Sequence, residues 1–323
     1  MTVLAARAAG ARFSRPLEVA LVNNMPDAAF VDTERQFRSM LASAASNMML
    51  RLYTMNSIPR SEQTTALVRS RYRSLESLWG DAPDALIVTG TEPRAADLRD
   101  EPFWPELARL LEWAADTVPT VLVSCLAAQA AVLLFDGIER LRRPAKCAGV
   151  FPGEVHDDPH GLTEGLPRCV LTPHSRINDI PEAALETAGY GIVIGGGGSP
   201  AGWAVASRDC GYSSLVLCQG HPEYGRLSLL REYRRDVRRF LLGAGKARYP
   251  ALPQCYLEPK AVQAMERFRV QAMAAKTESA EELMGTFPYD EIADGVQNTW
   301  AATSAILYTN WIAATRTAAL LAA

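Results

Sequence analysis

The chain has 323 residues, 48% hydrophobic and 21% charged, with a formal net charge of −3. That apolar content excludes wholesale disorder, and the length exceeds one average domain of about 100–200 residues. The near-neutral balance gives no electrostatic ground for a nucleic-acid partner, and six cysteines without a CxxC pair or zinc spacing speak against a disulfide framework or a structural metal.

The first 16 residues are rich in Arg and Ala and lack an apolar core segment. They read as an exposed arm rather than a signal peptide, with a transit peptide as the lesser alternative. Short apolar runs then alternate with longer helical patterns. Strands are expected at Leu17–Val22, Leu50–Met55, Ala85–Thr89, Thr120–Ser124, Cys169–Thr172, Gly191–Ile194, Trp203–Ala206 and Leu215–Gln219. Helices are expected at Thr33–Ala45, Arg60–Leu78, Trp104–Ala115, Leu126–Phe135 and Arg226–Leu242. Trp104, Leu107, Leu110, Leu111 and Ala114 form the clearest helical stripe.

Apolar strands alternating with helices imply an α/β fold with a doubly wound, mostly parallel sheet. The run Gly195–Pro200 lies between two strands with no Lys-Ser/Thr after it, so it reads as a flexible hairpin tip rather than a phosphate cradle. After Gly243 the alternation stops. Residues 253–297 are charged and Met-rich, with a helix expected at Glu278–Leu283. The apolar tail from Trp300 to Ala323 is interrupted by Asn310 and Arg316, which favours a buried or dimer-facing helix over a membrane span. The chain thus divides into an arm (1–16), one catalytic domain (17–243) and a helical C-terminal extension (244–323). The expected setting is the cytoplasm.

Three stretches can carry chemistry. In Pro119–Ala131 an apolar strand ends in Ser124-Cys125 and runs directly into an Ala-rich helix. A thiol there sits at a helix N-terminus, where free amides and the dipole favour the thiolate, as in a nucleophile elbow. On that segment alone, buried packing remains the more frequent role for such a cysteine. In Leu215–Tyr224 a second strand ends at Gly220, followed by His221 and Glu223. His221 has the chemistry of a base and Glu223 that of its orienting partner, against the bland reading of a loop histidine beside a surface glutamate. The backbone amide of Leu126 is a candidate oxyanion donor. The third stretch, His174-Ser175-Arg176, also follows a strand: the three residues are candidates to bind substrate, with hydrogen bonds and a cationic fork for a carboxylate, and His174 is a rival base. A base of this kind predicts activity falling below about pH 6 as the imidazole protonates.

Asn23-Asn24-Met25-Pro26, Thr33-Glu34-Arg35-Gln36-Phe37, Ile87-Val88-Thr89-Gly90, Cys125 with Gln129-Ala130-Ala131, Gly149-Val150-Phe151, Pro173-His174-Ser175-Arg176 and Gly220-His221-Pro222-Glu223-Tyr224 occur in that order. With these motifs the chain resembles the homoserine O-acyltransferases of methionine biosynthesis, the O-succinyltransferases and related O-acetyltransferases built on a class I glutamine-amidotransferase-like fold. The resemblance covers Leu17 to Gly243, with an echo at Thr309-Asn310-Trp311. It implies a ping-pong reaction in which Cys125 takes an acyl group, succinyl or acetyl, from acyl-CoA as co-substrate and passes it to a hydroxy amino acid. His221 would be the base and Glu223 its partner.

The resemblance further implies substrate contacts at Lys146, Ser175 and Arg235, an acyl-donor selector at Arg94, a homodimer, and no metal or tightly bound cofactor. The chain departs from the family pattern in three places. Asp27-Ala28-Ala29 stand where lysines are usual, Ala301-Ala302-Thr303 follow Trp300 where an Arg and a His are usual, and Arg94 is neither usual selector residue. A class I glutamine amidotransferase-like hydrolase, or a relative that only binds a metabolite, stays open as an alternative. Against the hydrolase, Val123 and Ala127 replace the glycines that normally flank its nucleophile.

Overall fold

The computed structural model describes residues 15–243, 248–275 and 279–322. Most of the expected arm and the first residue of the helix expected at Glu278–Leu283 lie outside these. In chain order the elements are β1 (Leu17–Val22), α1 (Asp27–Ala44), β2 (Met48–Tyr53), α2 (Glu62–Arg71), α3 (Leu75–Asp81), β3 (Ala85–Val88), α4 (Trp104–Thr117), β4 (Thr120–Ser124) and α5 (Leu126–Asp136). There follow β5 (Leu141–Val155), β6 (Cys169–Asp179), α6 (Glu182–Thr187), β7 (Gly191–Gly195), β8 (Val205–Cys210), β9 (Ser213–Cys218) and α7 (Ser228–Leu241). The C-terminal helices are α8 (Pro259–Ala274), α9 (Ala280–Gly285), α10 (Tyr289–Ala293) and α11 (Ala301–Ala322).

One nine-stranded sheet runs in the order β2-β1-β3-β4-β9-β8-β7-β5-β6. The first five strands are mutually parallel. From β9 onward every pairing is antiparallel. The parallel part is doubly wound, and its alternating side chains show why the strands are apolar throughout. Ala20, Val22, Leu86, Val88, Val121 and Val123 join α4 and α5 in one core, while Val19, Leu21, Ala85, Ile87 and Leu122 join α1 and α11 in the other. Helix α11 brings Leu307, Tyr308, Trp311 and Ile312 into that second core, which is the buried role expected of the apolar tail. Among the described residues no helix is long and apolar enough to cross a membrane.

The structure departs from the expected elements in several places. The helix expected at Arg60–Leu78 is two helices, because the Arg73 amide leaves the helical ladder to donate to the Leu52 carbonyl at 2.8 Å. The longest strand, β5, reads as loop in sequence because Pro144, Pro152 and several cations break its pattern. Its register shifts between Arg142 and Cys147, around Pro144. Helix α8 was not anticipated either. Its packing partner is distant in sequence: Met265, Phe268 and Ala272 share a third core with Tyr233, Val237 and Leu241 of α7 and with Trp300. Finally, the strand expected at Trp203–Ala206 is displaced to β8. Gly195–Pro200 lies in the antiparallel β7–β8 connection, as a hairpin should, with Gly196, Gly197 and Gly198 all at positive φ.

The C-terminal segment also augments the sheet locally. Val150 donates to the Gln254 carbonyl and the Gln254 amide donates to Ala148, both at 2.9 Å. Gly149 sits between them at φ 151°, and a Cβ there would collide with the Gln254 backbone. That close approach explains the glycine in Gly149-Val150-Phe151.

Candidate active site

Cys125 closes β4 and caps α5 with φ 54° and ψ −109°, a conformation that costs a non-glycine residue about 1–3 kcal/mol. The surroundings impose it. Its N–H donates to the Cys218 carbonyl of the neighbouring parallel strand at 2.7 Å, and its own carbonyl accepts from Ala128 and Gln129 as the first turn of α5. The thiol is thereby held over the helix N-terminus, partly exposed, while the other sheet-end cysteine, Cys218, is fully buried and its thiol pushed well up by burial.

Gly90, at the end of β3, faces this turn. A Cβ at residue 90 would lie 3.0 Å from both the Leu126 amide nitrogen and its Cβ. Glycine there keeps the Leu126 N–H open to a ligand, which is what an oxyanion donor needs. This role was not visible in the sequence, where Gly90 was only one letter of a motif.

His221 and Glu223 follow β9, the strand beside β4. Nδ1 of His221 lies 2.8 Å from Oε1 of Glu223, and Ser124 Oγ donates to the same oxygen at 3.3 Å. Both residues are buried, and the imidazole stacks on the Tyr224 ring at 4.1 Å. The other nitrogen, Nε2, is buried without a well-formed hydrogen bond, and Cys125 is close enough to act on its charge. Burial opposes a charged imidazole here, but the Glu223 carboxylate and the Cys125 sulfur outweigh it and raise the His221 pKa well above the ordinary value. That direction favours the charged form of the imidazole.

His174 resolves as a different kind of histidine. It is fully buried, and burial together with Arg176 drives its pKa well below 6.5. Arg176 Nη1 lies 2.5 Å from His174 Nδ1, so Nδ1 is the acceptor and the ring is neutral with its proton on Nε2. Arg176 is itself buried, with Nη2 donating to the Ala201 carbonyl and to Asp179. The fork offered by sequence is thus occupied inside the protein, and His174 is no rival to His221. Their strand reaches the His221 turn: Pro173 accepts the His221 amide at 2.7 Å although β6 lies four places from β9 in the sheet.

Lys146, Ser175 and Arg235, far apart in sequence, converge on one carboxylate that sequence reading missed. Glu232 on α7 lies 3.2 Å from Lys146 Nζ and 3.7 Å from Arg235, and accepts from Ser175 Oγ and the Tyr224 hydroxyl. Lys146 also reaches Asp236 at 3.0 Å. Burial raises the Glu232 pKa, but Lys146, Arg235, Ser175 and Tyr224 together bring it down to about 2. The only sequence signal was the i, i+3 spacing of Glu232 and Arg235 on an amphipathic helix. Through Tyr224 this cluster touches the ring stacked on His221, and Trp300 Nε1 fixes Tyr224 by donating to its carbonyl at 2.8 Å. Arg94 is exposed, and its backbone amide donates to the buried Glu101 carboxylate.

A strained strand-to-helix cysteine, a neighbouring strand-end His-Glu pair and a doubly wound sheet define a class I glutamine-amidotransferase-like fold. A solved glutamine amido transferase from Methylobacillus flagellatus superposes with a TM-score of 0.50 at 17% identity, covering 93% of this chain and 95% of that one. Such a likeness speaks for the fold alone.

The particular family is set by the sequence. The profile of the homoserine O-succinyltransferases matches residues 1–318. The homoserine O-succinyltransferase of Rhodopseudomonas palustris is 40% identical over 302 residues, 93% of this chain and 88% of its own. That of Methylorubrum extorquens is 42% identical over 302 residues, 93% and 87%, and that of Bradyrhizobium japonicum 39% over 315 residues, 95% and 93%. The chain belongs to the homoserine O-succinyltransferase family and is an acyltransferase.

Proposed function

We propose that this protein transfers an acyl group, succinyl by the names of its relatives, from acyl-CoA to the hydroxyl of L-homoserine in methionine biosynthesis, through a thioester on Cys125. The observation that carries the reading is the Cys125–His221–Glu223 set beside an unobstructed Leu126 amide.

Cys125 Sγ attacks the thioester carbonyl of the donor, and the developing oxyanion is met by the Leu126 N–H. Collapse breaks the carbon–sulfur bond to CoA, and the His221 imidazolium supplies the proton that the departing CoA thiolate takes up. His221, now neutral, accepts the proton of the acceptor hydroxyl as its oxygen attacks the Cys125 thioester. The second tetrahedral intermediate expels the Cys125 thiolate, and the ion pair is restored. Glu223 orients the ring through Nδ1 and stabilises its charge in both halves. The acceptor's zwitterion matches the neighbouring cluster: Lys146 and Arg235 suit its carboxylate, and Glu232 suits its ammonium.

Incubation with succinyl-CoA followed by intact-mass measurement tests this directly. A mass increase of one succinyl group, discharged by homoserine and absent in Cys125→Ala, is the expected result. No adduct, together with release of ammonia from glutamine, would overturn it in favour of a hydrolase.

A further inference from the structure

Arg140, just before β5, is a half-buried cation that pairs with no carboxylate among the described residues. Its Nη2 donates to the carbonyls of Ala95 and Ala96 at 3.0 Å, but Nε and Nη1 are buried and have no acceptor at all. Buried guanidinium N–H groups are rarely left unpaired, because each forfeits its bonds to water. No ion pair of 4.0 Å or less links Arg140 to an acid among the described residues, although Arg99 close by takes both Asp97 and Glu139.

The position of this cation is informative. The carbonyls it holds belong to the loop that leaves β3 directly after Gly90, the residue that faces the Leu126 amide. The same loop is pinned at a second point, where Glu92 forms a two-oxygen pair with Arg239 of α7 at 2.5 and 2.8 Å. Glu101 fastens it from within by accepting the Arg94 and Ala95 amides. Arg140 thus ties down the loop that begins at Gly90, whose position faces the Leu126 amide next to Cys125. Burial holds the Arg140 pKa below its ordinary value, with Glu101, Asp97 and Cys125 opposing. An anion arriving there would supply the missing acceptors.

Building on the Cys125 thioester reading, we propose that Arg140 receives the free carboxylate of a dicarboxylic acyl donor and so selects succinyl over neutral acyl groups. The exposed Arg94 side chain then has no part in that contact: its loop contributes backbone, and the charge comes from the start of β5. A carboxylate at the far end of the acyl chain would bond Nε and Nη1 while Nη2 keeps its carbonyls.

Succinyl-CoA and butyryl-CoA have acyl chains of equal length and differ in that carboxylate. Single-turnover acylation of Cys125, followed by intact mass, is compared for the two donors in the full-length wild type, in Arg140→Gln and in Arg140→Lys. The expected result is about 10–100-fold slower succinyl transfer in Arg140→Gln, with the butyryl rate within about twofold, and partial recovery of succinyl transfer in Arg140→Lys. Equal slowing with both donors would overturn the proposal, since it would mean a contact to the CoA moiety or general damage. Unchanged succinyl transfer would overturn it as well. A wild type that takes no acyl group from either donor would bring down the thioester reading, and this proposal with it.

Discussion

The parallel and antiparallel halves of the sheet do different work. The parallel half carries the proposed reacting groups: Cys125 and His221 follow β4 and β9, adjacent strands whose pairing of Ser124 with Cys218 sets the two loops side by side. The antiparallel half supplies groups suited to hold a substrate: Lys146 on β5, Ser175 on β6, and the bent strands that carry them back against α7. Loops at the carboxyl ends of parallel strands are where open α/β sheets bind ligands. The contrast teaches that such a loop cluster brings a strand-end cysteine and histidine together through local chain geometry, whereas the Glu232 cluster is assembled by strands that must first pair over long sequence separations.

Mutations can break this division, and the largest effect belongs to the parallel half. Cys125→Ala is expected to reduce transfer by more than about 10⁴-fold, since members of such a catalytic unit act together. The fold should survive, because the Cys125 backbone, not its thiol, makes the structural bonds. A steady-state rate and a melting curve measure both. Next is Gly90→Ala, which would place a methyl group over the Leu126 amide. A loss of about 10²–10³-fold in kcat is expected, and a wild-type rate would remove Leu126 from the oxyanion role.

The antiparallel half should fail differently. Glu232→Gln and Lys146→Met are expected to raise the KM for the amino acid about 10–100-fold while leaving acylation of Cys125 by the donor unchanged. If single-turnover acylation falls equally, the two halves are not separable and the assignment of the cluster to the acceptor is wrong.

The two histidines sharpen the comparison through pH. Nuclear magnetic resonance titration should show His221 still charged well above the ordinary imidazole value near 6.5, and His174 neutral to well below it. Because the folded pKa of His221 is raised, its ion pair contributes stability fully below about pH 6.5, and that contribution is lost as pH rises through the folded value. Cys125→Ala and Glu223→Gln should each lower the His221 pKa, since both groups raise it. The smallest effect expected is that of Trp300→Phe, which removes the bond to Tyr224 and should cost about 1 kcal/mol in denaturant unfolding.

Much of the parallel half was legible because its signals are local. An apolar strand ending at Ser124-Cys125 before an Ala-rich helix dictates the elbow, and the Gly220–Glu223 turn is too short to separate a base from its carboxylate. The antiparallel half was not legible for the opposite reason. Residues 141–155 look like a charged, proline-broken loop until β6 pairs with them. His174 and Arg176 read as a free base and a fork until folding presses one against the other and buries both. Glu232 showed only its i, i+3 spacing to Arg235, since its other partners lie on β5, on β6 and beside His221.

By itself, then, the sequence determined the doubly wound half of the fold and the family, and it pointed to Cys125, His221 and Glu223 as candidates, because periodicity and strand-end motifs encode those within a few residues. Tertiary structure decided which histidine meets a carboxylate and which an arginine, why residue 90 is glycine, and which carboxylate Lys146, Ser175 and Arg235 share. Each of these depends on burial and on neighbours brought together from distant segments. Desolvation and the field of a partner act only once the chain has closed around them.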